Sequence, residues 1–118
     1  MYTFPIDSMS PQLLVADLEK SIAFYTEALG FSLKFRYEDF YAGLVKDGFS
    51  LHLKLGRPVK RASDDLDLTF SVKDIEGVYA ALSQSNIIQP LREMPYGKEF
   101  YLADPDGHVL AFLQEEAI

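Results

Sequence analysis

His52, Asp67 and Ser10 are the residues of this chain with the most chemistry in them. A hydroxyl, an imidazole and a carboxylate are the parts of a nucleophilic triad. The sequence around them supplies neither a nucleophile elbow nor an oxyanion hole, so that chemistry is set aside. What remains for His52 is a hydrogen bond to a ligand, a base near Asp67 or simply a polar wall of the pocket, and for Asp67 the orientation of His52, contact with a cationic ligand or an exposed place at a strand start beside the linker. A carboxylate in a desolvated cleft needs a partner or its pKa rises. His108 follows the run Asp104, Pro105, Asp106, Gly107 and reads as an exposed hairpin residue. There is no cysteine, which removes disulfides, thiolate metal sites and cysteine nucleophiles together.

Aromatic side chains are the second resource. Phe35, Tyr37, Phe40, Tyr41, Tyr96, Phe100 and Tyr101 lie outside the expected helices, and rings of this kind can stack on a flat ligand. Tyr37, Phe40, Tyr96 and Phe100 are taken as candidate ligand contacts. Gln12, Ser50 and Thr69 join them by sharing a face with His52 and Asp67 through strand alternation.

Holding such groups together requires strands, and the chain writes its strands twice. Val15, Asp17, Leu18 and Glu19 recur as Val72, Asp74, Ile75 and Glu76, 57 residues later. Asp17 and Asp74 are placed to cap helices whose positive first turns then receive Glu19 and Glu76. Leu18, Ile22, Tyr25 and Leu29 fall on one helical face, and Gly30 is a natural stop. The pair Asp47 and Gly48 is matched by Asp106 and Gly107 at an offset of 59, so the second copy holds about two extra loop residues. Phe49, Leu51, Leu53 and Leu55 alternate with Ser50, His52 and Lys54, which predicts a strand with two unlike faces.

Strands are expected near 9–15, 32–38, 41–46 and 49–55, with a helix over 18–29. The second copy predicts strands at 66–72, a short one near 87–91, then 99–103 and 108–114, with a helix over 75–85. Each copy is β-α-β-β-β. One domain results, with module one at about 9–55, a linker at about 56–65 and module two at about 66–114.

Bulk properties narrow the partners. A chain of 118 residues buries roughly two thirds of its unfolded surface, and 48% apolar residues fill a core without staples. Eighteen Asp and Glu against eleven Lys and Arg give a net charge of −7, which repels nucleic acid and anionic lipid and favours cationic ligands at long range. Lys54, Arg57, Lys60 and Arg61 precede Asp64, Asp65 and Asp67 as a solvated charge run. Neither a signal peptide nor a membrane-spanning run is read from the sequence, so a cytoplasmic location is expected.

The segment from Leu14 to Tyr25 with Leu29, Gly30 and Phe31, and the segment from Tyr101 to Leu110, resemble the vicinal oxygen chelate superfamily of glyoxalase I, extradiol dioxygenases and bleomycin and fosfomycin resistance proteins. The resemblance covers almost the whole chain. It implies an α+β fold of two tandem βαβββ modules whose curled mixed sheets form a cleft. In metal-using members, ligands come from the first and last strand of each module, and the matching positions here are Ser10, His52, Asp67 and Ala111. Alanine cannot ligate, and serine ligates poorly, so no metal or other cofactor is expected. The stretch from Met94 to Tyr101, and Pro11, resemble the bleomycin-resistance branch, which implies a homodimer that holds a ligand without metal. The expected function is therefore metal-independent binding of a small cationic or aromatic drug-like molecule in a groove between the modules. The alternative is a lyase, isomerase or dioxygenase of the same superfamily with an atypical site, and a third reading is a regulatory module with a vestigial groove.

Overall fold

Two short turns and two capped helices set the frame. In the computed structural model, which describes residues 1–58 and 65–116, Asp17 begins the helix α1 (Leu18–Ala23) and accepts a bond from the Lys20 N–H. Asp74 does the same for α2 (Ile75–Ala81), accepting from the Gly77 N–H. The Ile75 N–H, another of the unpaired donors of a helix start, is taken by the Gln114 side chain at 2.9 Å. Asp47 and Gly48 both have positive φ, 52° and 82°, which is the geometry of a two-residue hairpin turn and matches the twist of its strands.

The strands are β1 (Gln12–Val15), β2 (Ser32–Tyr37), β3 (Tyr41–Lys46), β4 (Phe49–Leu55), β5 (Leu68–Ser71), β6 (Asn86–Met94), β7 (Gly97–Ala103) and β8 (Val109–Glu115). They form two four-stranded mixed sheets, ordered β1-β4-β3-β2 and β5-β8-β7-β6. In each, the first strand runs parallel to the last and the other pairs are antiparallel. The fold is thus α+β, two copies of βαβββ, and the chain divides into two compact units with the first ending at Pro58. Of the linker expected at 56–65, residues 59–64 lie outside the described residues, Lys60, Arg61 and Asp64 among them.

One face of each sheet is the core. Leu13, Val15, Ala42, Leu44, Leu51 and Leu53 are buried with Leu18, Ile22 and Tyr25 of the helical segment in the first unit. Phe100, Leu102, Leu110 and Phe112 are buried with Ile75 and Leu82 in the second.

Several boundaries differ from the sequence reading. The first helix is α-helical only to Ala23 and continues as a π-helical turn over Phe24–Ala28. There the Thr26 hydroxyl donates to the Ile22 carbonyl at 2.8 Å, the kind of side-chain competition that accompanies such turns. The second helix ends at Ala81, short of the expected 85. The strand expected near 87–91 runs nine residues, from Asn86 to Met94, and turns back at Pro95 and Tyr96 into β7. It contains Pro90, which an edge strand with bulges tolerates. His108 is not an exposed hairpin residue. The Asp104 side chain accepts from the N–H groups of Asp106 and His108, folds the connection into a wider loop, and leaves the His108 side chain only 11% exposed.

Candidate functional site

In the first unit, the sheet face away from the helix is lined by a row across all four strands. Phe35, Gly43, His52 and Gln12 are register partners in sequence across β2, β3, β4 and β1. Gly43 makes this row possible, because a Cβ there would overlap the Phe35 ring. The ring therefore lies across the strand, meets His52 edge-on at 5.4 Å and stacks at 6.2 Å with Tyr41. Tyr37 also packs against Phe35 and stacks with Phe40; these two outer rings keep 59% and 50% exposure. The result is a mostly uncharged aromatic surface with one imidazole in it.

His52 is held from one side. The Tyr41 hydroxyl lies 2.8 Å from His52 Nδ1 and 3.1 Å from Gln12 Oε1. A hydroxyl has one proton, so the three groups form a directional chain. With the Gln12 oxygen as acceptor, Nδ1–H of His52 donates to the hydroxyl and Nε2 is left as an acceptor. With the amide turned, the hydroxyl donates to Nδ1 and Nε2 carries the proton. Either way the ring offers one defined polar atom beside a stacking surface. Two residues before Gln12 and His52, the hydroxyls of Ser10, ahead of β1, and Ser50, in β4, are bonded to each other.

The expected metal set does not fit a divalent ion. Ser10 is engaged with Ser50, and Ala111 has no donor. Asp67 Oδ2 accepts the Val109 N–H at 2.8 Å and lies 3.8 Å from His108 Nδ1, so this carboxylate is engaged inside the second unit. Among the described residues, a tight group of metal-type side chains occurs at Asp104, Asp106 and His108, where the Asp104 carboxylate shapes the loop.

On the second sheet the candidates fare unevenly. Thr69 is exposed and pairs with Ala111 in register. Phe100 is a correction. It is 0% exposed, stacked on Phe112 at 4.9 Å and met edge-on by Tyr79, so it is core and has no surface to offer a ligand. Its neighbours Glu99 and Tyr101 take the opposite face. Tyr96 is 48% exposed, and its hydroxyl donates to Glu99 Oε1 at 2.6 Å.

Glu99, Arg92 and Gln89 form a charged cluster that the sequence reading missed. Arg92 donates from Nε and Nη2 to Glu99 Oε2 at 2.9 and 2.6 Å, and from Nη1 to Gln89 Oε1 at 3.1 Å. The Tyr101 hydroxyl donates to the same carboxylate at 3.0 Å. Burial alone pushes the Glu99 carboxyl up, but bonds from Tyr96, Arg92 and Tyr101 with the Arg92 charge outweigh it and hold the carboxyl below its ordinary value. Gln89 and Arg92 are three apart and would face opposite ways in a regular strand. A bulge between them resets the alternation and brings both to one face.

Comparison with known proteins places this geometry. Residues 6–112 match the family described as the Glyoxalase/Bleomycin resistance protein/Dioxygenase superfamily. A bleomycin resistance protein of Geobacillus stearothermophilus is 26% identical over 125 aligned positions, covering 89% of this chain and 94% of its own. The fold is shared with a glyoxalase/bleomycin resistance protein/dioxygenase from Alicyclobacillus acidocaldarius, at a TM-score of 0.80 and 20% identity over 94% of this chain and 92% of the other. It is also shared with the bleomycin-binding protein of Streptomyces verticillus, solved with copper(II)-bleomycin, at a TM-score of 0.72 and 22% identity over 98% of this chain and all (100%) of the other. With the family match spanning most of its length, the chain belongs to the glyoxalase/bleomycin resistance protein/dioxygenase superfamily.

Proposed function

We propose that this protein is a metal-independent binder of small, flat, aromatic or cationic drug-like molecules, acting as a cytoplasmic homodimer. The observation that carries the reading is the first-unit surface, in which Phe35 and Tyr41 flank His52 and Tyr37 and Phe40 extend the aromatic patch outward from Phe35. Stacking rings supply area at low entropic cost, and the fixed imidazole supplies direction. Ser50, Gln12, Thr69 and Tyr96 are retained as polar contacts, and Asp67 as a contact only where a ligand can displace one of its partners. The bleomycin-binding protein that shares this fold makes bleomycin the natural first probe.

The test is a titration of ¹⁵N,¹³C-labelled protein with bleomycin, copper(II)-bleomycin and N-methylquinolinium, followed by NMR with chelator present. Shifts at Phe35, Tyr41 and His52 are expected, and Tyr41→Phe is expected to weaken binding roughly fivefold, the worth of about one hydrogen bond. If none of the three probes moves those residues, the reading fails. If binding appears only on adding a metal that His52→Ala cannot take up, the metal-independent part fails.

A further inference from the structure

The open face of the second sheet carries a device that the first-unit site does not use. Glu99 is 5% exposed, yet the arginine it holds has a side chain 39% exposed. Arg92 lies with its guanidinium 5.5 Å from the centroid of the Tyr101 ring. Of its five N–H groups, Nε and one Nη2 proton go to Glu99, the second Nη2 proton points to the Tyr101 hydroxyl at 3.4 Å, and one Nη1 proton goes to Gln89. One Nη1–H has no partner among the described residues.

A buried carboxylate is an uneconomical way to stabilise a sheet face, since apolar side chains of like volume do as well or better. What it does accomplish is to fix a long, flexible side chain flat and in one orientation. Binding then loses less entropy, which is the use of pre-organisation. A fixed guanidinium presents a directional donor at its edge, in the plane of its own atoms.

We propose that Arg92 is a ligand-recognition group, held in place by Glu99 as a positioning residue, and that this face binds a planar conjugated molecule carrying a carbonyl-type oxygen. The oxygen accepts the remaining Nη1–H, which lies in the guanidinium plane, so the flat molecule meets Arg92 edge-on and continues the plane that lies over the Tyr101 ring. A neutral acceptor is favoured over a carboxylate, because the chain carries a net charge of −7 and Glu99 lies against the same guanidinium. The proposal rests on the reading of the protein as a binder of flat small molecules but uses different residues.

Two probes of one shape separate it from that reading. Coumarin is a neutral two-ring lactone; N-methylquinolinium has two fused rings, a fixed positive charge and no acceptor. Coumarin is expected to shift the Arg92 Nε–Hε and Tyr101 resonances, and N-methylquinolinium to leave both in place. Arg92→Lys keeps the charge but not the plane and is expected to weaken coumarin binding about tenfold. Glu99→Gln is expected to weaken it as well, with thermal unfolding confirming that both variants are folded. The wild-type titration needs no variant and stands by itself. Coumarin that leaves Arg92 and Tyr101 unmoved overturns the proposal, as does a cation that moves them equally. Shifts confined to Phe35, Tyr41 and His52 overturn it while leaving the first-unit site standing.

Discussion

At the scale of single residues, Glu99 has a measurable signature. Its carboxyl is held below the ordinary value of 4.5 in the folded protein, so the unfolded chain binds the proton more readily. Such a group adds stability that is fully present above the unfolded value and is lost as pH falls through the folded one. Urea unfolding of the wild type at about pH 7, 5, 4 and 3 is therefore expected to show a midpoint that drops below about pH 4.5. Glu99→Gln should start from a lower midpoint near neutrality and fall less steeply on acidification. An unchanged slope would mean that other carboxylates carry the acid response. This residue also shows where sequence reading stops. Glu99 acquires its partners from Arg92 of β6 and from Tyr96 and Tyr101, and the bulge that brings Gln89 to the same face as Arg92 is one that no alternation rule announces. Phe100 was misjudged for a related reason. In β7 two aromatic residues stand side by side on opposite faces, and ring identity alone does not say which face is core.

At the scale of elements, local signals read well. The Asp17 and Asp74 caps, the Asp47 and Gly48 turn and the two-faced β4 each depend on residues within a turn or two of one another. Leu51 and Leu53 are buried and His52 faces the other way, as its alternation predicts. Boundaries read less well: the first helix gives way to a π-helical turn where Thr26 bonds backwards to Ile22, and the second stops at Ala81. The paired caps give an internal control. Asp17→Ala and Asp74→Ala are each expected to lower stability by about 1 kcal/mol, measured by chemical denaturation. If neither variant moves the midpoint, the side-chain bonds to Lys20 and Gly77 contribute nothing.

At the scale of the whole molecule, the repeat was legible from its two ends, and the family from nearly its full length. The chemistry was legible only in part. Equivalent strands keep equivalent pairings, yet the register position of His52 is occupied by Ala111, so the copies diverged in side chains while keeping their backbone plan. The net charge of −7 acts at this scale too. Association of a cationic ligand is expected to slow as salt rises from about 0.01 M to about 0.15 M, since the screening length falls from about 30 Å to about 8 Å. Stopped-flow titration with N-methylquinolinium checks this, with neutral coumarin as the control whose rate should stay flat.

The parallel pairing of the first strand with the last has a consequence for how the chain is made. Gln12 meets His52 only after the 39 residues between them have been synthesised, and all the strand pairings of the first unit lie between residues 12 and 55. During translation the local hairpins of β2, β3 and β4 can form first, and β1 must wait for β4, because closing the longer loop costs more chain entropy. The imidazole and its glutamine thus come together in the closing step of their own half, before the ribosome has delivered the other. A protein assembled in this order carries its first aromatic surface out of the exit tunnel before its second half is complete.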